Sequence, residues 1–389
     1  MITDKETNLV YFSSLIKEKG KYLPFWNRLK PILIENKIGY DFIENTRDIW
    51  CRDYMPIQKE TNDFIQFEYF PDYYIEPKYI SKLTIPSETR IIDKISPLKS
   101  KLKVDGGNVI KSKKIAILTD KVLDENSNLE PKTVISTLKK ELDVENVFLI
   151  PKAPYEATGH ADGMVRFLNE TDLLVADYFN ESISWRAKME KALKKTGLNI
   201  ISYPTEVVEE KNEDGDSVAK GVYINFAQIG KVILFPQFGL NTDIIALNRT
   251  KELFSDCKVV PINSNEIAID GGVFNCITWN IKIETTMSFN KLPKQTPSHF
   301  EQEKFVFDKL DFYLSTFDYR LIAKGFEIAW ENITGGIVGD GDFKKMTYRF
   351  IKQIMDKNFI PQNMVDRTID LILEYMESIG QYGYDLSEN

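Results

Sequence analysis

Residues 269–279 read Ile-Asp-Gly-Gly-Val-Phe-Asn-Cys-Ile-Thr-Trp, and the organisation of the chain is best understood from this stretch. It places Cys276 on an apolar, strand-like run just after a Gly-Gly pair. Because glycine lets the backbone approach a ligand closely, a thiol beside such a pair can face a tight pocket. Most free cysteines are instead small core residues. This segment alone does not separate the two interpretations.

The Asp-Gly-Gly pattern occurs a second time, at Asp105-Gly106-Gly107, again between apolar strand-like runs. Asp-Gly is a common turn dipeptide, so one copy would be weak evidence. Two copies in matching positions indicate related structural units.

A cadence of strand, strand, helix and strand recurs about five times between the N-terminus and residue 289, provided that a helix lies within residues 78–97. Apolar periodicity predicts the clearest helices, which are Tyr22–Lys37, Pro131–Leu142, Ile183–Lys195 and Thr242–Phe254. Strands are predicted at Met164–Phe167 and Val222–Phe226, among others. Repetition of one unit at a spacing of about 50 residues predicts α/β units that are stacked or arranged round an axis.

The pattern changes after residue 289. Apolar residues then follow helical periodicity almost throughout, over Phe300–Tyr313, Leu321–Glu331, Phe343–Asp356 and Pro361–Ile379. We therefore expect a catalytic α/β domain over residues 1–289 and an all-helical C-terminal domain over residues 290–389.

The composition is that of a soluble globular protein, with 43% apolar and 28% charged residues. A net charge of −8 argues against general affinity for nucleic acid and is compatible with a small cationic substrate. No apolar run approaches the roughly 18 residues of a membrane span. The acidic N-terminus does not resemble a signal peptide. Three cysteines provide neither a disulfide framework nor zinc spacing, so a cytoplasmic protein without a metal is expected.

Two further segments concentrate chemistry. Residues 46–56 combine Trp50, Arg52 and Asp53 with other charged residues, which fits either a charged surface loop or the rim of a pocket. His160 and Asp162 stand between glycines. In an extended segment they would point to the same face. The chain has only one other histidine, His299, in a polar run, so chemistry that needs an imidazole would fall to His160.

The candidates together suit attack on the carbon of a flat cation. They are one thiol, one imidazole and three carboxylates, and all but Asp53 lie within a few residues of a glycine: Cys276, His160, Asp53, Asp105 and Asp162. A guanidinium carries five N–H donors in a fixed fork, for which carboxylates are natural partners. A cysteine protease would need oxyanion donors and would have no obvious use for so many carboxylates.

Five ordered motifs resemble the agmatine deiminase and bacterial peptidylarginine deiminase family, and the resemblance spans roughly residues 1–290. These motifs are Trp50-Cys51-Arg52-Asp53, Asp105-Gly106-Gly107-Asn108, Gly159-His160-Ala161-Asp162-Gly163, Tyr223-Ile224-Asn225-Phe226 with Pro236-Gln237-Phe238-Gly239, and Gly271-Gly272-Val273-Phe274-Asn275-Cys276-Ile277-Thr278. The resemblance implies the pentein fold, a five-bladed α/β propeller of guanidine-modifying enzymes. It also implies hydrolysis of a guanidino group to a ureido product and ammonia, through a covalent thiouronium on the cysteine and without a cofactor.

Roles follow from the resemblance by matching position. Cys276 would be the nucleophile, and His160 would protonate the departing ammonia and later activate water. Asp53 and Asp162 would clamp the guanidinium, and Asp105 would be a further catalytic carboxylate. Substrate contacts would come from Trp50, Arg52, Asn225 and Gly271 in addition to the two clamping acids. A neighbouring guanidinium and imidazolium are expected to lower the thiol pKa from about 8.5.

Two departures from the family pattern bear on the substrate. Asp105 stands where agmatine deiminases usually have Glu. In addition, the segment before Trp50 reads Thr-Arg-Asp where the agmatine enzymes typically have Asn-Asp, and Asp270 stands in place of a glycine. Arg47 or Arg52 could meet a substrate carboxylate, which agmatine lacks. The hypothesis is therefore a small cationic guanidino substrate other than agmatine, either free arginine or peptidyl-arginine. Two alternatives remain open: an amidinotransferase with the same site, and a non-catalytic binding module. The sequence leaves the oligomeric state undetermined.

Overall fold

The computed structural model describes residues 1–283, with the exception of residues 76, 92–94, 155, 157, 179 and 207. The side chains of residues 77 and 78 are also excluded. The predicted helical domain, with its boundary at 289/290, lies outside the described residues. Among the described helices, none is long and apolar enough to cross a bilayer.

Within the described residues, the strands form five sheets of three strands each. The strands are β1 Leu9–Ser13, β2 Gly39–Ile43, β3 Ile57–Glu60, β4 Asp63–Glu68, β5 Leu98–Lys103, β6 Ile110–Lys111, β7 Ile115–Thr119, β8 Asn146–Ile150, β9 Val165–Phe167, β10 Asp172–Ala176, β11 Asn199–Tyr203, β12 Ala227–Ile229, β13 Val232–Gln237, β14 Lys258–Asn263 and β15 Trp279–Ile281. The sheet orders are β15-β1-β2, β3-β4-β5, β6-β7-β8, β9-β10-β11 and β12-β13-β14.

Each of the last four sheets has an antiparallel pair followed by a parallel pair. A parallel pair needs a crossover connection, and in these four sheets each crossover contains at least one helix. The helices are α1 Leu15–Glu18, α2 Leu23–Glu35, α3 Cys51–Tyr54, α4 Pro77–Ile80, α5 Lys121–Glu125, α6 Pro131–Glu141, α7 Ile183–Lys194, α8 Thr242–Leu253, α9 Asn265–Ala268 and α10 Phe274–Ile277. Single 3₁₀ turns occur at Asp4–Glu6, Asp72–Tyr74, Pro86–Glu88 and Gly106–Asn108.

The predicted five-fold α/β cadence is confirmed. The helix sought within residues 78–97 is reduced to α4 and the 3₁₀ turn Pro86–Glu88. The last described strand, β15, pairs antiparallel with the first, β1, and places Trp279 opposite Tyr11. The first sheet is thus built from both ends of the α/β region.

Helix α6 packs its apolar face onto its own sheet. In α6 the buried residues Val134 and Leu138 follow helical spacing and join Leu118 of β7 in one cluster. Pro131 is the first residue of this helix. A backbone N–H at that position would have no partner within the helix, so proline loses no hydrogen bond there.

Two strand predictions are wrong. Cys276 lies in the single-turn helix α10, and residues 222–226 form an irregular segment before β12, with a turn at residues 223 and 224. Both segments are rich in β-branched and aromatic residues, which favour strands in general. Their apolar side chains are nevertheless buried between sheets rather than within one, and the Asn275 N–H bonds to the Asn225 carbonyl.

A substitution at Gly106 tests how closely two neighbouring segments approach. A Cβ there would lie 1.9 Å from the Arg52 carbonyl oxygen, whereas a Cβ on Gly20 would meet nothing within 4 Å. We expect Gly106→Ala to lower the free energy of unfolding by about 1–3 kcal/mol or more, and Gly20→Ala to leave it nearly unchanged. Urea denaturation of both variants measures the difference, and equal stabilities would contradict the described approach.

Candidate active site

The predicted site residues lie in the links that join one sheet to the next. Each link runs from the last strand of one sheet to the first strand of the following sheet. The site residues are distributed over all five links: Trp50 and Asp53 between β2 and β3, Asp105 between β5 and β6, His160 and Asp162 between β8 and β9, Asn225 between β11 and β12, and Cys276 between β14 and β15. The repeated architecture therefore brings together residues that are far apart in sequence.

A cavity of about 630 Å³ collects these side chains. Its walls include most of the predicted set, namely Trp50, Asp53, His160, Asp162, Asn225, Gly271 and Cys276. Asp105 lies behind His160 and Arg52 points elsewhere. This volume is within the usual range for small-molecule sites.

Hydrogen bonds tie the links to one another beneath the cavity. The Gly107 N–H donates to Asp53 Oδ1 at 2.9 Å, and the Gly107 carbonyl accepts from the Asp162 N–H at 3.1 Å. Asn275 Nδ2 then donates to Asp162 Oδ2 at 2.7 Å, and the Asn275 carbonyl accepts from Arg52 Nε at 3.2 Å. The backbone and side chains of four links are thereby held in one network.

The thiol of Cys276 faces an amide and a carboxylate. Its Sγ lies 3.3 Å from Asn225 Oδ1 and 3.5 Å from Asp162 Oδ2. Burial, together with the charges of Asp162 and Asp53, raises the pKa of this thiol well above its usual value. The sequence predicts a lowered pKa beside a guanidinium and an imidazolium, whereas burial and the neighbouring acids raise the pKa of this thiol.

The imidazole of His160 lies between two carboxylates. Its Nε2 is 2.9 Å from Asp105 Oδ2, and its Nδ1 is 3.5 Å from Asp53 Oδ1. Burial by itself lowers the pKa of His160, but Asp53 and Asp105 outweigh it and raise the pKa to about 10. Burial raises the pKa of Asp53, and the charges of Asp105 and Asp162 raise it further. At neutral pH the His160 side chain is therefore the charged imidazolium.

Gly107 and Gly272 lie so close to other groups of the site that a side chain at either position would collide with them. A Cβ on Gly107 would lie 2.5 Å from Asp53 Oδ1 and 2.7 Å from His160 Nδ1. A Cβ on Gly272 would lie 2.5 Å from Cζ3 of Trp50 and 3.1 Å from the Cys276 Cβ. The second glycine of each Asp-Gly-Gly run thus lets functional side chains pack against backbone.

Arg52 does not occupy the predicted substrate-binding position. Its Nη2 donates to Asn280 Oδ1 at 2.5 Å, and its Nε bonds to Asn275. Its side chain lines a second cavity, of about 410 Å³, that also contains Arg166. Arg47 does line the main cavity, where its Nη2 lies 2.9 Å from Glu88 Oε2.

Three supporting residues were missed by sequence reasoning. Asn275 precedes the predicted nucleophile, and its amide could have been recognised as a possible partner for a buried acid. Gly107 belongs to the Asp105–Asn108 motif, but the residues that it contacts, Asp53 and His160, come from other links. Tyr73 bonds to Asp105 from a segment without recognisable motif. Within the described residues, no group of three or more His, Cys, Asp or Glu side chains is arranged to hold a metal ion.

The fold and site together define a pentein-fold protein, with a thiol, an imidazole and carboxylates around one cavity. Residues 26–281 match the Porphyromonas-type peptidyl-arginine deiminase family. The chain belongs to this family, because the match covers more than half of its length.

Solved structures support the fold. The C. jejuni agmatine deiminase is similar with a TM-score of 0.58 and 15% identity, over 72% of this chain and 95% of that one. The agmatine deiminase of Enterococcus faecalis gives a TM-score of 0.56 and 16% identity, over 72% and 94% of the two chains. At this level of identity the similarity concerns the fold, and the predicted pentein fold is confirmed.

A curated relative from Lactococcus lactis, named as an agmatine deiminase, is 23% identical over 201 residues. The match covers 45% of this chain and 54% of the relative. A relative from Selenomonas ruminantium with the same kind of name is 24% identical over 206 residues, with 46% and 54% covered. The chain thus spans about half the length of the curated relatives it matches.

The electrostatic arrangement around Cys276 predicts how its thiol reacts. With the pKa raised, alkylation by iodoacetamide is expected to be slow at pH 7 and to rise with pH through 9, since the thiolate reacts. Asp162→Asn removes a raising charge, so alkylation at pH 8 should accelerate by about three- to ten-fold. Peptide mapping by mass spectrometry follows Cys276 separately from the other two cysteines.

Asp270→Asn is the matched control for this substitution. Asp270 also lines the cavity, but its Oδ2 bonds to Lys21 Nζ at 2.6 Å and to Tyr22 OH at 2.5 Å. We expect the Cys276 alkylation rate to be unchanged in this variant. Equal rates in wild type and both variants would show that Asp162 does not control the thiol.

Proposed function

We propose that this protein hydrolyses the guanidino group of a small cationic substrate to a ureido group and ammonia. The observation that carries the proposal is the arrangement of Cys276 against Asp162 and Asn225, in the same cavity as a protonated imidazole. The family membership supports the same reaction class, as do the names of the curated relatives.

Two acids supply the clamp for the guanidinium. Asp53 and Asp162 are both buried and both line the cavity. Each charge-assisted hydrogen bond to a guanidinium stabilises by about 1.5–3 kcal/mol. A neutral amide would leave these buried carboxylates without their cation, and would be rejected for that reason.

Substrate binding prepares the nucleophile in this proposal. The raised pKa of Cys276 keeps the thiol protonated in the empty cavity. A bound guanidinium offsets the charges of Asp162 and Asp53, so the pKa of the thiol falls when the substrate arrives. The reactive thiolate then forms mainly where its target carbon is already present.

The first half of the reaction forms a covalent bond to sulfur. The Cys276 thiolate attacks the guanidinium carbon and forms a C–S bond. The C–N bond to one nitrogen then breaks, and the His160 imidazolium donates its proton so that this nitrogen leaves as ammonia. The product is a thiouronium on Cys276 and a neutral imidazole.

The second half consumes one water molecule. Neutral His160 accepts a proton from water as the oxygen attacks the thiouronium carbon. The C–S bond breaks, the remaining hydroxyl proton passes to solvent, and the ureido product leaves with the thiolate restored. Asp105, bonded to His160 Nε2, keeps the imidazole in one orientation throughout.

Cationic as well as acidic side chains line the cavity, and a cationic one can contact a substrate carboxylate. Five cationic side chains line the cavity: Lys19, Lys21, Arg47, Lys82 and Lys211. Some have acidic partners, such as Lys82 with Asp214 at 3.0 Å. We propose free or peptidyl arginine as the substrate class, with Arg47 as the carboxylate contact.

Removal of the nucleophile tests the reaction. Cys276→Ala should lower kcat for ureido product formation by about 10⁴-fold or more, on the scale seen when a nucleophile or its supporting group is lost. Ammonia release and colorimetric detection of the ureido group measure it, over a panel of guanidino compounds. Cys257→Ala, at a half-buried cysteine outside this cavity, is the control and should retain activity.

Two results would contradict the proposal. Full activity of Cys276→Ala would exclude a thiouronium. Formation of a new guanidino compound with an added amine such as glycine, without ureido product, would show an amidinotransferase instead.

The substrate class is tested at Arg47. Arg47→Gln should raise KM for free arginine by about five-fold, because a partly exposed charge pair stabilises by about 1 kcal/mol. The KM for agmatine, which has no carboxylate, should not rise. Arg28→Gln removes an arginine that also pairs with a glutamate, Glu266, outside the cavity, and should change neither value. Strong preference of the wild type for agmatine would rule out this substrate class.

A further inference from the structure

The Asp105 carboxylate contacts two groups through a single oxygen. Its Oδ2 lies 2.9 Å from His160 Nε2 and accepts a hydrogen bond from the Tyr73 hydroxyl at 3.0 Å. The Asp105 side chain is only 3% exposed, so water competes little for this oxygen. We propose that Tyr73 is a positioning residue that fixes the Asp105 carboxylate against His160. The inference rests on the proposed deimination, in which His160 transfers protons.

Asp105 needs such a second contact because its backbone alone does not orient its carboxylate. The residue precedes the 3₁₀ turn Gly106–Asn108, and its carbonyl accepts from the Asn108 N–H. The backbone is thus held, while the side chain still has two torsions that set where its oxygens point. A hydroxyl that donates to the same oxygen as the imidazole selects the orientation in which that oxygen meets His160.

Tyr73 is itself held in place by a buried cation. The Lys121 Nζ lies 4.7 Å from the Tyr73 ring centroid, and the Lys121 side chain is only 3% exposed. Asp72 Oδ1 bonds to the same Nζ at 2.6 Å. The Tyr73 ring also meets the His160 ring edge-on, with centroids 6.1 Å apart. The hydroxyl is therefore presented by a ring with contacts to the cation and to the imidazole.

Lys121 also packs beneath the residue that precedes His160. Gly159 has φ +66°, and a Cβ there would lie 2.8 Å from the Lys121 Cδ. The Gly159 carbonyl accepts from Thr119 Oγ1 at 2.5 Å. One lysine thus contacts both the ring that orients Asp105 and the backbone that carries the imidazole.

The Tyr73 hydroxyl affects how strongly His160 holds its proton. The charged groups that face His160 are the carboxylates of Asp53, Asp105, Glu156 and Glu125, and Tyr73 adds its ring and hydroxyl. A hydrogen bond donated to Asp105 stabilises its charge and occupies part of its accepting capacity. Without that bond, Asp105 attracts the imidazole proton more strongly, and the pKa of His160 rises.

Tyr73→Phe tests the proposal, because it removes the hydroxyl and keeps the ring. The chain has only two histidines, so NMR titration gives two imidazole signals, and His160→Asn assigns them. We expect the pKa of His160 to rise by about half a unit to one unit in Tyr73→Phe. The kcat for deimination should fall about ten-fold, since the imidazole must release its proton in each turnover. The KM should change less than about two-fold, since Tyr73 does not clamp the guanidinium in this proposal.

A neighbouring tyrosine supplies the matched control. The Tyr74 hydroxyl donates to Asp48 Oδ2 at 3.2 Å rather than to Asp105. Tyr74→Phe should therefore leave the His160 titration unchanged. In an Asp105→Asn background, Tyr73→Phe should have little further effect on either readout, because the two residues act through one contact.

The outcomes separate this inference from the proposed reaction. An unchanged His160 titration in Tyr73→Phe overturns the positioning role, whatever the activity. An equal shift in Tyr74→Phe overturns it too, since the effect would then be general. A shift confined to Tyr73→Phe in a protein without deiminase activity supports the positioning role and contradicts only the proposed function.

Discussion

The bond between Asn275 and Asp162 is the interaction on which the site depends. It joins the link that carries the thiol to the link that carries the imidazole, at 2.7 Å and out of contact with bulk water. The same Asn275 bonds through its backbone to Asn225 and Arg52, so two further contacts converge on one residue. Without these partners, the buried polar groups of Asn275 would have no hydrogen bonds, which is energetically costly. This cost holds the links in their relative positions.

The electrostatics of the cavity follow from placing several acids in a buried space. Burial and mutual repulsion raise the pKa of Asp53, while the thiol is made less acidic by the same charges. His160 is the cation that partly balances them. A bound flat cation would complete this balance. In the proposed reaction, recognition of the substrate and activation of the thiol therefore have one cause.

Local pattern identified the elements whose side chains pack on one face. The helices at residues 131–141 and 183–194 end within a residue or so of their predicted limits, because their apolar periodicity and flanking residues agree. The segments around Cys276 and Asn225 were assigned wrongly as strands. Their apolar residues are buried between sheets, a condition that composition does not distinguish from burial within a sheet.

The sequence alone determined the five-fold α/β cadence. It also determined which functional groups are available to the site: one thiol, one usable imidazole and paired acids beside glycines. Periodicity and residue chemistry are local properties, so they can be read without coordinates. Only the tertiary structure decided that Arg52 faces away from the cavity, that Gly107 touches both Asp53 and His160, and that Tyr73 bonds to Asp105. Those contacts join separate links, and their geometry is set by how the sheets pack together.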